Sequence, residues 1–283
     1  MSRIAYVNGR YLPQRDASIN VEDRGYQFAD GIYEVIYIHQ SRFVDEGLHM
    51  DRLERSLRAI RIADPMPRAA LMRVLAEVAR RNRIRDGLLY MQVTRGVARR
   101  DHAFPKGAVK PALVVTVKRL PAYPRDVEQW TYSAITHPDE RWARCDIKSV
   151  GLLPNVLARQ AARDAGANEA ILVDAVGMVT EGASTTVWIV DRDGVLRTRH
   201  LDHAILPGCT RDALLTLLQT ANLRYEQRAF SASELRDARE AFVTSATSFV
   251  RPVLEVDGLK VGDGMVGPVV RALFKAFAEH VSA

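Results

Sequence analysis

A chain of 283 residues, 47% hydrophobic and 26% charged, carries enough apolar material for one large or two modest domains. Its net charge of +6 suits anionic ligands, yet the arginines are dispersed along the chain rather than gathered in a tract, which argues against a nucleic-acid binder. No apolar run is long enough to span a bilayer and no signal-peptide core follows Met1, so a cytoplasmic protein is expected; Cys145 and Cys209, far apart and outside any Cys/His cluster, indicate neither a disulfide framework nor a metal site.

Ile4 to Val7 and Arg10 to Leu12 read as two strands around Asn8-Gly9, a dipeptide that accepts the positive φ of a type I′ hairpin. After the polar Asp23-Arg24-Gly25 segment, Gly31 to His39 alternates and predicts a strand. It places Tyr33, Val35 and Tyr37 on one face and Ile32, Glu34 and Ile36 on the other. Met50, Leu53, Leu57 and Ile60, then Leu71, Val74, Leu75 and Val78, have the spacing of two buried helical stripes, separated by Asp64-Pro65-Met66-Pro67. Leu88 to Arg95 and Ala112 to Val117 are further strands around a long basic loop, and Pro121 to Pro124 is the candidate domain junction.

Beyond the junction, strands are predicted at Tyr132 to Thr136, Glu169 to Asp174, Thr185 to Val190, Ala241 to Thr244 and Val253 to Val256. Helices are predicted at Pro154 to Asp164, after Gly208-Cys209-Thr210, after the capping box Ser231 to Glu234, and from Val269 to His280. Hairpin-connected strands with helices in blocks indicate an α+β fold, and no Gly-x-Gly-x-x-Gly fingerprint supports a dinucleotide domain.

One lysine stands apart. Only six of the 40 basic residues are lysine, so positions that need nothing but solubility have gone to arginine. Lys148 lies between Ile147 and the apolar Val150 to Pro154 run, which suits partial burial. A lysine amine, unlike a guanidinium, can be made neutral by its surroundings and then attack a carbonyl. On these features alone an ordinary surface lysine at a strand end is the commoner case.

Five segments, Arg144-Cys145-Asp146-Ile147-Lys148-Ser149, Leu152 to Ala158, Thr180-Glu181-Gly182, Glu22 to Val35 and Val243 to Thr247, carry a family likeness. Together they resemble the fold-type IV pyridoxal-phosphate transaminases, and within them the D-amino acid (D-alanine) aminotransferases. The resemblance covers nearly the whole chain. It implies two α+β domains, 1–120 and 125–283, joined by a linker at 121–124, with pyridoxal 5'-phosphate in the cleft between them and a homodimer as the working unit.

By the same resemblance Lys148 is the Schiff-base lysine and Glu181 faces the pyridine nitrogen. Arg52, Cys209, Thr210, Ser245, Ala246 and Thr247 surround the phosphate. Some relatives carry threonine where Ala246 stands, so Thr247 is expected to substitute for that contact. The substrate carboxylate is held by Tyr33, Arg100 and His102, the last two on an Arg-x-His loop supplied by the neighbouring subunit. The implied partners are therefore D-amino acids and 2-oxo acids, with no nucleic acid or membrane. Tyr37 stands where D-specific relatives often carry lysine, which leaves the breadth of substrates open, primary amines included.

Alternatives on the same fold are a branched-chain L-amino acid aminotransferase, an aminodeoxychorismate lyase and an (R)-amine transaminase. The strand after Tyr33-Glu34 lacks the Gly and Arg common in branched-chain enzymes, which favours the D-specific case. A non-enzymatic, arginine-rich binding protein on this scaffold is the remaining alternative, because fold alone does not establish function.

Overall fold

The computed structural model describes residues 3–220 and 224–282; the outermost residues of the expected domains, 1–2 and 283, lie outside them. The chain divides into two compact units, one of Met1–Ala122 with Ile147–Gly151, the other of Tyr123–Asp146 with Leu152–Ala283. The sequence assigns residues 147–151 to the second domain, whereas here they join the first unit. The reason is backbone pairing: Ser149 bridges Ile32, Val150 N–H donates to Gly31 O at 3.1 Å, and Ile147 is buried in the first unit's core.

The first unit opens with β1 (Ile4–Val7) and β2 (Arg10–Pro13), whose turn residues Asn8 and Gly9 have φ of 47° and 98°. The positive values are those a type I′ turn demands. A five-residue helix α1 (Arg24–Phe28) follows, with the Asp23 side chain accepting from Gly25 N–H. Next come β3 (Gly31–His39), β4 (Arg42–Phe43), α2 (Glu46–Ala59), α3 (Arg68–Arg81), β5 (Gly87–Thr94) and β6 (Ala112–Arg119). The strands form one antiparallel sheet in the order β2-β1-β6-β5-β3-β4. The predicted helical stripes cover it: Met50, Leu53, Leu57, Leu71, Leu75 and Val78 pack on Ile32, Ile36, Leu89, Met91 and Val115.

The second unit holds β7 (Tyr132–Pro138), α4 (Leu153–Asp164), β8 (Glu169–Val173), β9 (Val179–Gly182), β10 (Thr186–Val190) and β11 (Leu196–Thr198). It continues through α5 (Cys209–Thr220), β12 (Tyr225–Gln227), α6 (Ala232–Arg236), β13 (Glu240–Ser245), β14 (Phe249–Val256), β15 (Leu259–Lys260) and α7 (Pro268–Ser282). Its sheet runs β12-β11-β10-β13-β14-β7-β8-β9, with β15 on β14. The pairs β11/β12, β14/β7 and β7/β8 are parallel, and α4 supplies the crossover that a parallel β7/β8 pair requires. Val179, Val187, Ile189, Phe230, Val243 and Val253 form the core of one face. The fold is the expected α+β mixture, with no helix among the described residues long and apolar enough to cross a membrane.

Candidate active site

In the first unit, the Lys148 segment lies along the end of β3. Tyr33 N–H donates to Lys148 O at 3.0 Å, and the half-buried Lys148 amine sits 4.3 Å from the centre of the Tyr33 ring. Two residues predicted to share a site are thus adjacent. Tyr33 in turn stacks on Tyr90 at 5.7 Å, and burial, with the Tyr33 phenol beside it, pushes the Tyr90 hydroxyl up to about 12.

Alternation along β3 turns Glu34 to the opposite face, where it is buried beneath α2. Arg52 donates to both of its carboxylate oxygens at 2.8 Å and the His49 ring lies at 2.8 Å from Oε2. Burial alone would raise the Glu34 carboxyl, but the Arg52 charge and the hydrogen bonds of Arg52 and His49 outweigh it and hold the group at about 2. His49 is driven the other way: burial, assisted by the Arg52 and Lys148 charges, lowers it despite Glu34. A pair this geometry makes bidentate fixes the plane of the Arg52 guanidinium.

The loop between β5 and β6 carries Arg100 and His102, both exposed. Its backbone is tied down by Arg24, which donates to Asp101 O at 2.6 Å and whose Nε pairs with Asp30 at 2.8 Å. Arg95 donates to the same Asp30 carboxylate at 2.7 and 3.0 Å. The Arg100 guanidinium carbon lies 4.6 Å from the Phe28 ring centre, and the His102 ring 5.4 Å from it.

In the second unit, Glu181 lies buried on β9. One oxygen accepts from Leu206 N–H at 3.1 Å and the other from Arg141. Arg141 is itself gripped by Asp139 at 2.7 and 2.9 Å and donates to Ala204 O at 2.9 Å. Burial works against the Arg141 charge, but Asp139 and Glu181 overcome it and raise the guanidinium above its ordinary value. A cavity of about 690 Å³ opens beside this group, lined by Asp139, Arg141, Cys145, Thr180 and His203 but by none of Lys148, Glu181 or Thr210.

Cys209 and Thr210 are buried in the first turn of α5, where backbone N–H groups have no partner within the helix and the dipole favours an anion. Ser245 ends β13; its hydroxyl accepts from Ser248 N–H at 3.0 Å and lies 3.4 Å from the Thr247 hydroxyl, with Ala246 between them in the same turn. Neither cysteine is in a disulfide, and burial pushes the Cys145 thiol up to about 11, so it does not offer a thiolate.

Sequence reasoning missed Arg141, Asp139, Glu34, His49 and Phe28. For Glu34 a signal existed, since a carboxylate between Ile32 and Ile36 on an otherwise apolar strand face calls for a buried cation. For Arg141, one arginine among many, none did.

A family model described as amino-transferase class IV matches residues 31–256. The D-alanine aminotransferase of Bacillus licheniformis is 41% identical over 275 residues, covering 97% of this chain and 95% of that protein. That of Staphylococcus haemolyticus is 37% identical over 278 residues, covering 98% of each. Among solved structures, the branched-chain amino acid aminotransferase of Escherichia coli superposes with a TM-score of 0.89 at 25% identity, covering 98% of this chain and 94% of that one. One family model spans most of the chain, and relatives at 37% and 41% identity span almost all of it. This chain therefore belongs to the class IV aminotransferases.

Proposed function

We propose that the protein is a pyridoxal 5'-phosphate-dependent transaminase that exchanges the amino group between D-amino acids, of the D-alanine and D-glutamate class, and 2-oxo acids in a ping-pong cycle. The observation that carries the reading is the Lys148 amine 4.3 Å from the Tyr33 ring, in a chain 41% identical to a D-alanine aminotransferase.

The donor set fits the cofactor. Lys148 provides the amine that holds it; Glu181, fixed by Arg141 and Leu206 N–H, provides the carboxylate for its ring nitrogen. Thr210 with the first turn of α5, the turn Ser245 to Thr247 and the Arg52 guanidinium provide the phosphate ligands. Pyridoxal phosphate, when bound, supplies a carbonyl for the amino group and a ring that draws electrons from the substrate α-carbon.

The remaining chemistry belongs to the protein. Lys148 Nζ is the base that takes the substrate α-hydrogen, and Glu181 keeps a proton on the ring nitrogen. The Tyr33 hydroxyl, Arg100 and His102 bind the substrate carboxylate; the guanidinium can engage both oxygens at once. Fixing the carboxylate decides which enantiomer presents its α-hydrogen to Lys148, and the relatives' activity supports the D form. The working unit is a homodimer, in which the exposed Arg100 and His102 serve the partner's site, and it acts in the cytoplasm.

The test uses protein loaded with pyridoxal phosphate. D-Alanine with 2-oxoglutarate should form pyruvate with parallel-line kinetics, and L-leucine should react far more slowly. L-Leucine reacting faster than D-alanine would instead establish the branched-chain alternative.

A further inference from the structure

Arg100 and His102 are exposed, and no hydrogen bond or ion pair of the described residues engages either side chain. What holds them is one ring. Phe28, the last residue of α1, lies 4.6 Å from the Arg100 guanidinium carbon, 5.4 Å from the His102 ring at a 51° tilt, and 4.8 Å from the Arg24 guanidinium carbon. The three contacts form a chain of support. Arg24 is buried and locked by Asp30 and by the carbonyls of Asp101 and His102, at 2.8, 2.6 and 3.4 Å. Its guanidinium seats the Phe28 ring, and the ring seats Arg100 and His102.

Contact with an aromatic face commits none of an arginine's N–H donors; Arg24 and Arg95 also lie over rings, but their donors are taken by Asp30 and by backbone carbonyls, whereas those of Arg100 are not. The support leaves the whole donor edge of Arg100 for a ligand that can use it in pairs, which a carboxylate does.

Resting on the reading of Arg100 and His102 as the carboxylate trap, we propose that Phe28 is the positioning residue of that trap: its π-face orients the Arg100 guanidinium and the His102 imidazole without occupying their hydrogen-bonding edges. Phe28 does not touch substrate and acts only through those two groups.

The test compares two aminooxy probes that, in the loaded enzyme, each form a C=N bond to the cofactor and release the Lys148 amine in the same way. Aminooxyacetate carries a carboxylate and O-methylhydroxylamine does not, so the ratio of their second-order rate constants isolates the trap. Phe28→Leu keeps an apolar side chain of similar size but removes the ring; it should lower the ratio about 3- to 10-fold, as expected for losing a cation–π contact of this kind. The O-methylhydroxylamine rate should not change, and Phe28→Tyr should keep the wild-type ratio. Pentafluorophenylalanine at position 28, which keeps the shape and reverses the ring quadrupole, should lower the ratio like leucine and decides the matter if the leucine variant fails to fold. Arg100→Ala is the control for the underlying reading. If Arg100→Ala lowers the ratio while both Phe28 variants leave it unchanged, or if both slow the two probes equally, the positioning role is wrong and the trap stands. If Arg100→Ala leaves the ratio unchanged, the trap itself is wrong and the role of Phe28 falls with it.

Discussion

Glu34 is buried and ionised, and that combination is held by Arg52 and His49. Its folded value of about 2 lies below the ordinary 4.5, so folding favours the ionised carboxylate. The stabilisation is therefore fully present above about pH 4.5 and is lost as the pH falls towards 2; a shift of that size corresponds to about 3 kcal/mol. Glu34→Gln should lose stability at neutral pH by about 3 to 5 kcal/mol, because Arg52 is then buried without its counter-charge, and should show a flatter stability profile between pH 4.5 and 2. Urea denaturation from neutral pH down to about pH 2 measures both effects. Strand alternation in the sequence put Glu34 opposite Tyr33 but could not name its partners, since His49 and Arg52 come from a helix whose rotation about its axis is set by packing rather than by local pattern.

Elements with a local signature were legible and the rest were not, for identifiable reasons. Asn8-Gly9 and the capping box at Ser231 and Glu234 define their own geometry, and both are present as expected. The helix α1 spans five residues, too few to display a 3.6-residue period. The strand β9 is buried on both faces, so Val179 to Gly182 carries no alternation and Thr180-Glu181 looks like a turn. In β14, Pro252 hid the first half: the strand starts at Phe249, where it pairs with β13 alone, and the parallel pairing with β7 begins at Val253. The loop after β5 depends on Gly96, which has a φ of 95° and where an added Cβ would collide with the Lys110 carbonyl oxygen. Gly96→Ala should cost about 2 to 3 kcal/mol in urea denaturation. Because Arg100 follows four residues on, it should also weaken binding of D-alanine more than it slows turnover. A variant as stable as wild type would show that the turn is not under the constraint its φ and contact imply.

At the scale of the molecule, one substitution pattern in the sequence and one segment of the structure converge. Arginine has replaced lysine almost everywhere, and the short segment carrying Lys148 leaves the second unit's run of chain to pair with β3 of the first. That excursion was invisible in sequence, where residues 147–151 sit between β7 and α4 and carry no strand signal of their own. The assignment proposed for this lysine rests on its surrounding motif rather than on composition. The most direct measurement is borohydride reduction of the protein loaded with pyridoxal phosphate, followed by proteolysis and mass spectrometry of the six lysine positions. Reduction should leave the cofactor's mass on the peptide containing Lys148 and on no other, at one equivalent per chain, and Lys148→Ala should take none; label on a different lysine, or on none, would contradict the account.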